Sequence, residues 1–205
     1  EVFMEVIISL LLMAVILAAR EKPTTPKALR TRFDDYNSFK NIIIKSPGSN
    51  TTYTEIDEAI VSPYGIFCIE YKGNAGYIFG SKYNAIWTQC KYDGRVPRPN
   101  PLRQNYKHKK ALENLFGEQL KTHTRTYVVY TNAKIVNVDS SEVLKSTKEL
   151  KSRISTFNRI IYTDSEIDYF YNLLARAELR SESLHNIHIE EVKALNTRVA
   201  PQSSI

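Results

Sequence analysis

The stretch from Tyr53 to Lys72 constrains this chain more than any other. Tyr53 to Val61 is rich in Thr, Tyr, Ile and Val and reads as a strand, Ser62-Pro63-Tyr64-Gly65 supplies a turn, and Ile66 to Tyr71 is extended again. Gly65-Ile66-Phe67-Cys68-Ile69 is too apolar for an exposed edge and predicts a buried central strand. Residues two apart on a strand share a face, so Glu70 and Lys72 point the same way. Charges at the end of such a strand are costly without a partner or a ligand. Glu55 and Glu58 flank Asp57, so carboxylates gather near one end, and a divalent cation would relieve their repulsion. An Asp on one strand and Glu-x-Lys on the next can hold such a cation and orient a water, which is equipment for phosphodiester hydrolysis. An isolated Glu-x-Lys is more often a solvated ion pair; the apolar strand leading into this one argues otherwise.

Further residues extend the pattern. Thr54-Glu55-Ile56-Asp57, Ser62-Pro63-Tyr64-Gly65-Ile66-Phe67 and Ile69-Glu70-Tyr71-Lys72-Gly73 are followed by Gly76-Tyr77-Ile78-Phe79-Gly80 and Trp87. Asn100-Pro101-Leu102-Arg103-Gln104-Asn105 then opens a helix, and Tyr127-Val128-Val129-Tyr130-Thr131-Asn132-Ala133 follows. In this order the motifs resemble the nuclease-related domain (NERD) family, a branch of the PD-(D/E)XK nuclease superfamily, over roughly residues 33–195. The resemblance implies an α/β sandwich with a mixed central sheet, of the restriction-endonuclease-like type. It implies catalysis by Asp57, Glu70 and Lys72, with Mg²⁺ or Mn²⁺ held by Asp57 and Glu70, and a role for Gln104 beside the active site. The carbonyl of Ile69 is a further candidate ligand. One departure stands out. Many such nucleases carry a carboxylate on a helix before the first strand, whereas here Glu21 sits between Arg20 and Pro23, and Asp34 and Asp35 fall in a predicted loop.

The first twenty residues predict a membrane anchor. Val6 to Ala19 is apolar on every side, Val2-Phe3-Met4 extends it past Glu5, and a span needs about 17–25 residues. The start is acidic and Leu17-Ala18-Ala19 lacks a small-x-small cleavage pattern, which argues against a cleaved signal peptide. Arg20, Lys22, Lys27, Arg30 and Arg32 follow the apolar run and predict a cytoplasmic C-terminal domain. The organisation expected is an anchor over 1–20, a proline-bearing linker over 21–32, the nuclease-like domain over 33–195 and a tail over 196–205. Net charge is +6, and the 28 basic and 20 acidic residues outside positions 1–19 leave +8, which suits a polyanionic partner such as DNA. Cys68 and Cys90 form no disulfide framework and have no zinc-site spacing.

The rest of the domain reads as alternating strands and helices. Phe39–Lys45 predicts the first strand; Gly76–Phe79 and Ala85–Lys91 predict two more. Asn100 is a good N-cap before Pro101, for a helix expected to reach about Lys121 with Leu102, Tyr106, Leu112, Leu115 and Phe116 inward. Arg103, Lys107 and Lys110 make a basic stripe on that helix, a candidate nucleic-acid contact, with Gln104 and His108 on the adjacent stripe. Thr163-Asp164-Ser165-Glu166 is a capping box for another helix. The leading expectation is a metal-dependent nuclease. Its rivals are a nucleic-acid-binding module on a nuclease fold that no longer cuts, and a domain that binds a protein partner at the membrane.

Overall fold

The computed structural model describes residues 36–46, 51–117 and 123–199. The anchor, the linker, Asp34, Asp35 and the tail beyond 199 lie outside the described residues. Among the described residues no helix is long and apolar enough to cross a membrane.

Three antiparallel strands come first: β1 (Asn37–Lys45), β2 (Tyr53–Ser62) and β3 (Gly65–Lys72). The turn between β2 and β3 closes on Gly65, whose φ of 142° disfavours a side chain and where a Cβ would lie 3.1 Å from the His123 carbonyl oxygen. β4 (Gly76–Gly80), β5 (Ile86–Lys91) and β6 (Gly94–Pro99) follow, then α1 (Pro101–Phe116), β7 (Thr124–Tyr130), β8 (Ala133–Val138), β9 (Val143–Leu144), α2 (Thr147–Ser155) and α3 (Asp164–Val199). The strands form two sheets, ordered β1-β2-β3-β7-β9 and β6-β5-β4-β8. β7 runs parallel to both β3 and β9, which makes the first sheet mixed, as expected.

The first sheet is covered on both faces, which explains the unbroken apolar run in β3. On one face, Phe39, Ile42, Ile44, Ile56, Ile66 and Cys68 pack with Leu112 and Phe116 of α1 and Ile167, Phe170 and Leu174 of α3. On the other, Phe67, Ile69, Tyr127 and Val129 pack with Leu150 and Ile154 of α2. The second sheet joins through Ile78 and Trp87, which meet Val128, Tyr130 and Val143.

The predicted caps form. The Asn100 side chain accepts the Leu102 N–H at 2.9 Å, and Thr163 and Glu166 close their box through N–H···O contacts of 2.7 and 3.3 Å. Two expectations for α1 are corrected. It ends at Phe116, where Gly117 adopts a φ of 94°, rather than near Lys121. Tyr106 points to solvent, while Asn105 and His108 turn inward. A face assigned from apolarity alone misses polar residues that are buried because they have partners.

Candidate active site

The site lies where β2 and β3 part. Pairing of β1 with β2 is interrupted between Lys40↔Glu58 and Ile42↔Ile56, and Asn41 takes a φ of 52°, a conformation Asn tolerates better than most residues. Phe39 and Ile42 lie in one core cluster although three apart, as do Ile56 and Ala59, so both strands change face at this level. The β2–β3 ladder ends at Glu58↔Ile69. Beyond that pair the Asp57 carboxylate, rather than a backbone carbonyl, accepts the Tyr71 N–H at 2.6 Å. Asp57 is thereby pinned at the opening between the strands.

Glu70 follows Cys68 by two residues, faces α1 and is 3% exposed. Lys72 Nζ lies 2.5 Å from Glu70 Oε1 and donates to Gln104 Oε1 at 2.9 Å. His108 Nε2 sits 3.1 Å from Glu70 Oε2, and its Nδ1 meets Thr54 Oγ1 at 2.8 Å. Gln104 and His108 are one turn apart, so a single helix face supplies both. Asn105, fully buried between them, holds that face to the sheet by donating to the carbonyls of Cys68 at 3.2 Å and Tyr127 at 2.9 Å.

The two carboxylates differ electrostatically. Burial, and then the Glu70 charge, raise the Asp57 pKa against the opposing Tyr71 N–H, Lys72 and His108. Burial also works to raise Glu70, but His108 and Lys72 outweigh it and hold that carboxyl below its ordinary value. Glu70 Oε2 is buried, and His108 Nε2 is the polar atom that faces it. Two hard oxygen donors, one of them destabilised by its neighbour's charge, suit a small divalent cation. Among the described residues no group of three or more His, Cys, Asp or Glu could hold a metal. Two carboxylates are nevertheless the usual protein share for Mg²⁺, which keeps waters and takes substrate phosphates for the rest.

The expected gathering of carboxylates around Asp57 is narrower than its spacing suggests. Glu58 turns to the other face of the sheet, where it accepts from the Tyr71 hydroxyl at 2.6 Å and from the Ser38 hydroxyl. The structure thus brings Asp57, Glu70, Lys72 and Gln104 together and leaves Glu58 out. The stripe of Arg103, Lys107 and Lys110 is exposed on α1. Arg103 donates to the Tyr83 carbonyl at 2.6 Å, and Lys110 pairs with Glu113 at 3.0 Å. Thr54, Asn105 and His108 are parts of the site not foreseen as such. The one signal for them was the four-residue spacing of Gln104 and His108.

A mixed α/β domain with Asp57 beside a Glu70-x-Lys72 strand end fits a nuclease-like fold. The chain belongs to the nuclease-related domain family, whose model matches residues 19–131. It is 30% identical over 169 residues to an uncharacterized protein of Bacillus anthracis, covering 82% of this chain and 77% of that one. No solved structure matches the chain.

Proposed function

We propose that this protein is a metal-dependent nuclease that hydrolyses phosphodiester bonds, with DNA as its substrate. The observation that carries the reading is the juxtaposition of Asp57 and Glu70 at the parted strand ends, with Lys72 held between Glu70 and Gln104. Asp57 and Glu70 would hold Mg²⁺ or Mn²⁺. Such an ion lowers the pKa of a bound water and offsets phosphate charge. Lys72 presents its ammonium beside the carboxylates, where it can orient the attacking water and stabilise negative charge growing on the phosphate oxygens. Gln104 fixes the Lys72 side chain, and His108 fixes Glu70. Arg103, Lys107 and Lys110 offer charge to the phosphate backbone along α1. The apolar run from Val6 to Ala19 and the bases after it support a membrane anchor with this domain on the cytoplasmic side.

The absence of a third acidic ligand among the described residues favours a second reading, a nuclease-fold module that binds nucleic acid without cutting it. Purified full chain in detergent, offered linear, circular and single-stranded DNA and RNA with Mg²⁺, Mn²⁺ or EDTA, separates the two. Cutting that requires metal and is lost in Asp57→Ala and Lys72→Ala supports the nuclease. Salt-sensitive binding with no cutting of any substrate moves the assignment to the binding module.

A further inference from the structure

Arg98 is a half-buried arginine that the sequence motifs do not single out. It lies on β6 opposite Trp87, so it shares the face of a side chain that is 1% exposed. That face packs on Val128 and Tyr130 of the first sheet. Tyr130 in turn is the direct β7 partner of Lys72. Arg98 therefore approaches the strand ends of the candidate active site from the opposing sheet. It sits two residues before Asn100, the cap of the helix that carries Gln104 and His108.

Its orientation is fixed by a neutral partner. Arg98 Nε donates to Gln89 Oε1 at 2.8 Å, and Gln89 Nε2 donates to the Ala75 carbonyl at 2.6 Å. Gln89 is fully buried. Among the described residues Arg98 makes no ion pair, whereas Lys109 and Lys110 share Glu113 and Lys72 has Glu70. A guanidinium partly withdrawn from water, with a neutral partner and no carboxylate, has charge left to offer an anion. With Nε occupied, the two terminal nitrogens remain as a planar fork, the geometry that grips two oxygens of one phosphate. The Tyr130 phenol places the two charges on a common neighbour. Burial and then the Glu70 carboxylate push its pKa up to about 12, while Arg98 opposes them.

We propose that Arg98 is a phosphate clamp, whose guanidinium, braced by Gln89, binds non-bridging oxygens of the nucleic-acid strand lying across Lys72 and Glu70. The assignment rests on the nuclease reading for the identity of the polyanion. The test is duplex DNA binding by the full chain in EDTA across a salt series, together with cleavage in Mg²⁺, for Arg98→Gln, Arg98→Lys and Arg95→Gln. Arg95 is exposed on the outer face of the same strand and controls for loss of one charge. Arg98→Gln is expected to weaken binding about tenfold and to lower the slope of log K against log salt by about 0.9, one phosphate contact. Arg98→Lys should keep the slope yet bind several-fold more weakly than wild type, because an ammonium lacks the fork. If Arg98→Gln does not fold, Arg98→Lys carries the decision, and affinity equal to wild type overturns the clamp. An unchanged slope in folded Arg98→Gln, or an equal change in Arg95→Gln, also overturns it. If wild type binds but never cuts while the Arg98 effect on the slope persists, the nuclease reading fails and the clamp stands.

Discussion

Replacing His108 with alanine tests whether the imidazole is a working part of the carboxylate site. Glu70 is 3% exposed, with Lys72 Nζ at 2.5 Å and His108 Nε2 at 3.1 Å from its carboxylate oxygens. Removing a partner that orients a metal-ligating carboxylate costs about 10- to 100-fold in metal affinity or activity. The same range follows from a contact to a buried charge worth about 1.5–3 kcal/mol. The loss should fall on metal affinity, since His108 touches Glu70 and no position assigned to substrate. His108 also helps to hold the Glu70 pKa below its ordinary value, and without it burial is less opposed. The Glu70 carboxyl then protonates at higher pH, and the acid limb of the rate profile moves upward. The assay is cleavage rate against Mg²⁺ concentration at several pH values. A rise in the half-saturating Mg²⁺ concentration, with the maximal rate at saturation largely kept, is the expected outcome. Thr54→Val should shift the same quantities less, because Thr54 acts only through His108 Nδ1. Wild-type metal dependence and pH profile in folded His108→Ala would refute the reasoning.

Asn105→Ala should destabilise the domain by about 1–3 kcal/mol, because two buried carbonyls lose a donor together; urea unfolding measures this, and an unchanged midpoint contradicts it. Gly65→Ala should cost about 1–3 kcal/mol through its φ of 142°, since the nearest atom, Arg125 Nη1, can swing aside but the backbone cannot; a melting temperature equal to wild type would show that the turn relaxes. Glu166 has its pKa lowered by the Thr163 N–H and then the Thr163 hydroxyl. Its folded value is below the unfolded one, so its contribution is present above the usual 4.5 and fades as pH falls through the folded value. Thermal melts of Glu166→Gln and wild type should accordingly converge in acid; a gap that persists there would count against the cap.

The strand pair and the grouping of Asp57, Glu70 and Lys72 at its end were legible because their signals are local. A turn at Ser62-Pro63-Tyr64-Gly65 and an apolar run into Glu70-x-Lys72 need no distant partner to be recognised. Both helix caps were legible for the same reason. What escaped depends on contacts distant in sequence. The face switch at Asn41 and Asp57, which turns Glu58 away from the site, belongs to the pairing of two strands rather than to either alone. Asn105 and His108 are buried because Cys68, Tyr127, Thr54 and Glu70 meet their polar atoms, and no periodicity reports that. Of the second sheet, β4 and β5 were expected, whereas β6 escaped for another reason. Gly94–Pro99 carries two prolines and two arginines, which reads as loop, yet it pairs along the whole of β5 as an edge strand, where proline is tolerated.

The most direct test of the central claim is a single-tube cleavage experiment on circular DNA with wild-type full chain and Glu70→Gln. The substrate is incubated first in EDTA and then with Mg²⁺ restored in excess. Wild type should leave the circle intact in EDTA and cut it once Mg²⁺ returns, while Glu70→Gln, folded by its melting curve, should leave it intact throughout. Cutting by wild type in EDTA, or cutting by Glu70→Gln at the wild-type rate, would contradict a metal-dependent nuclease centred on Asp57, Glu70 and Lys72.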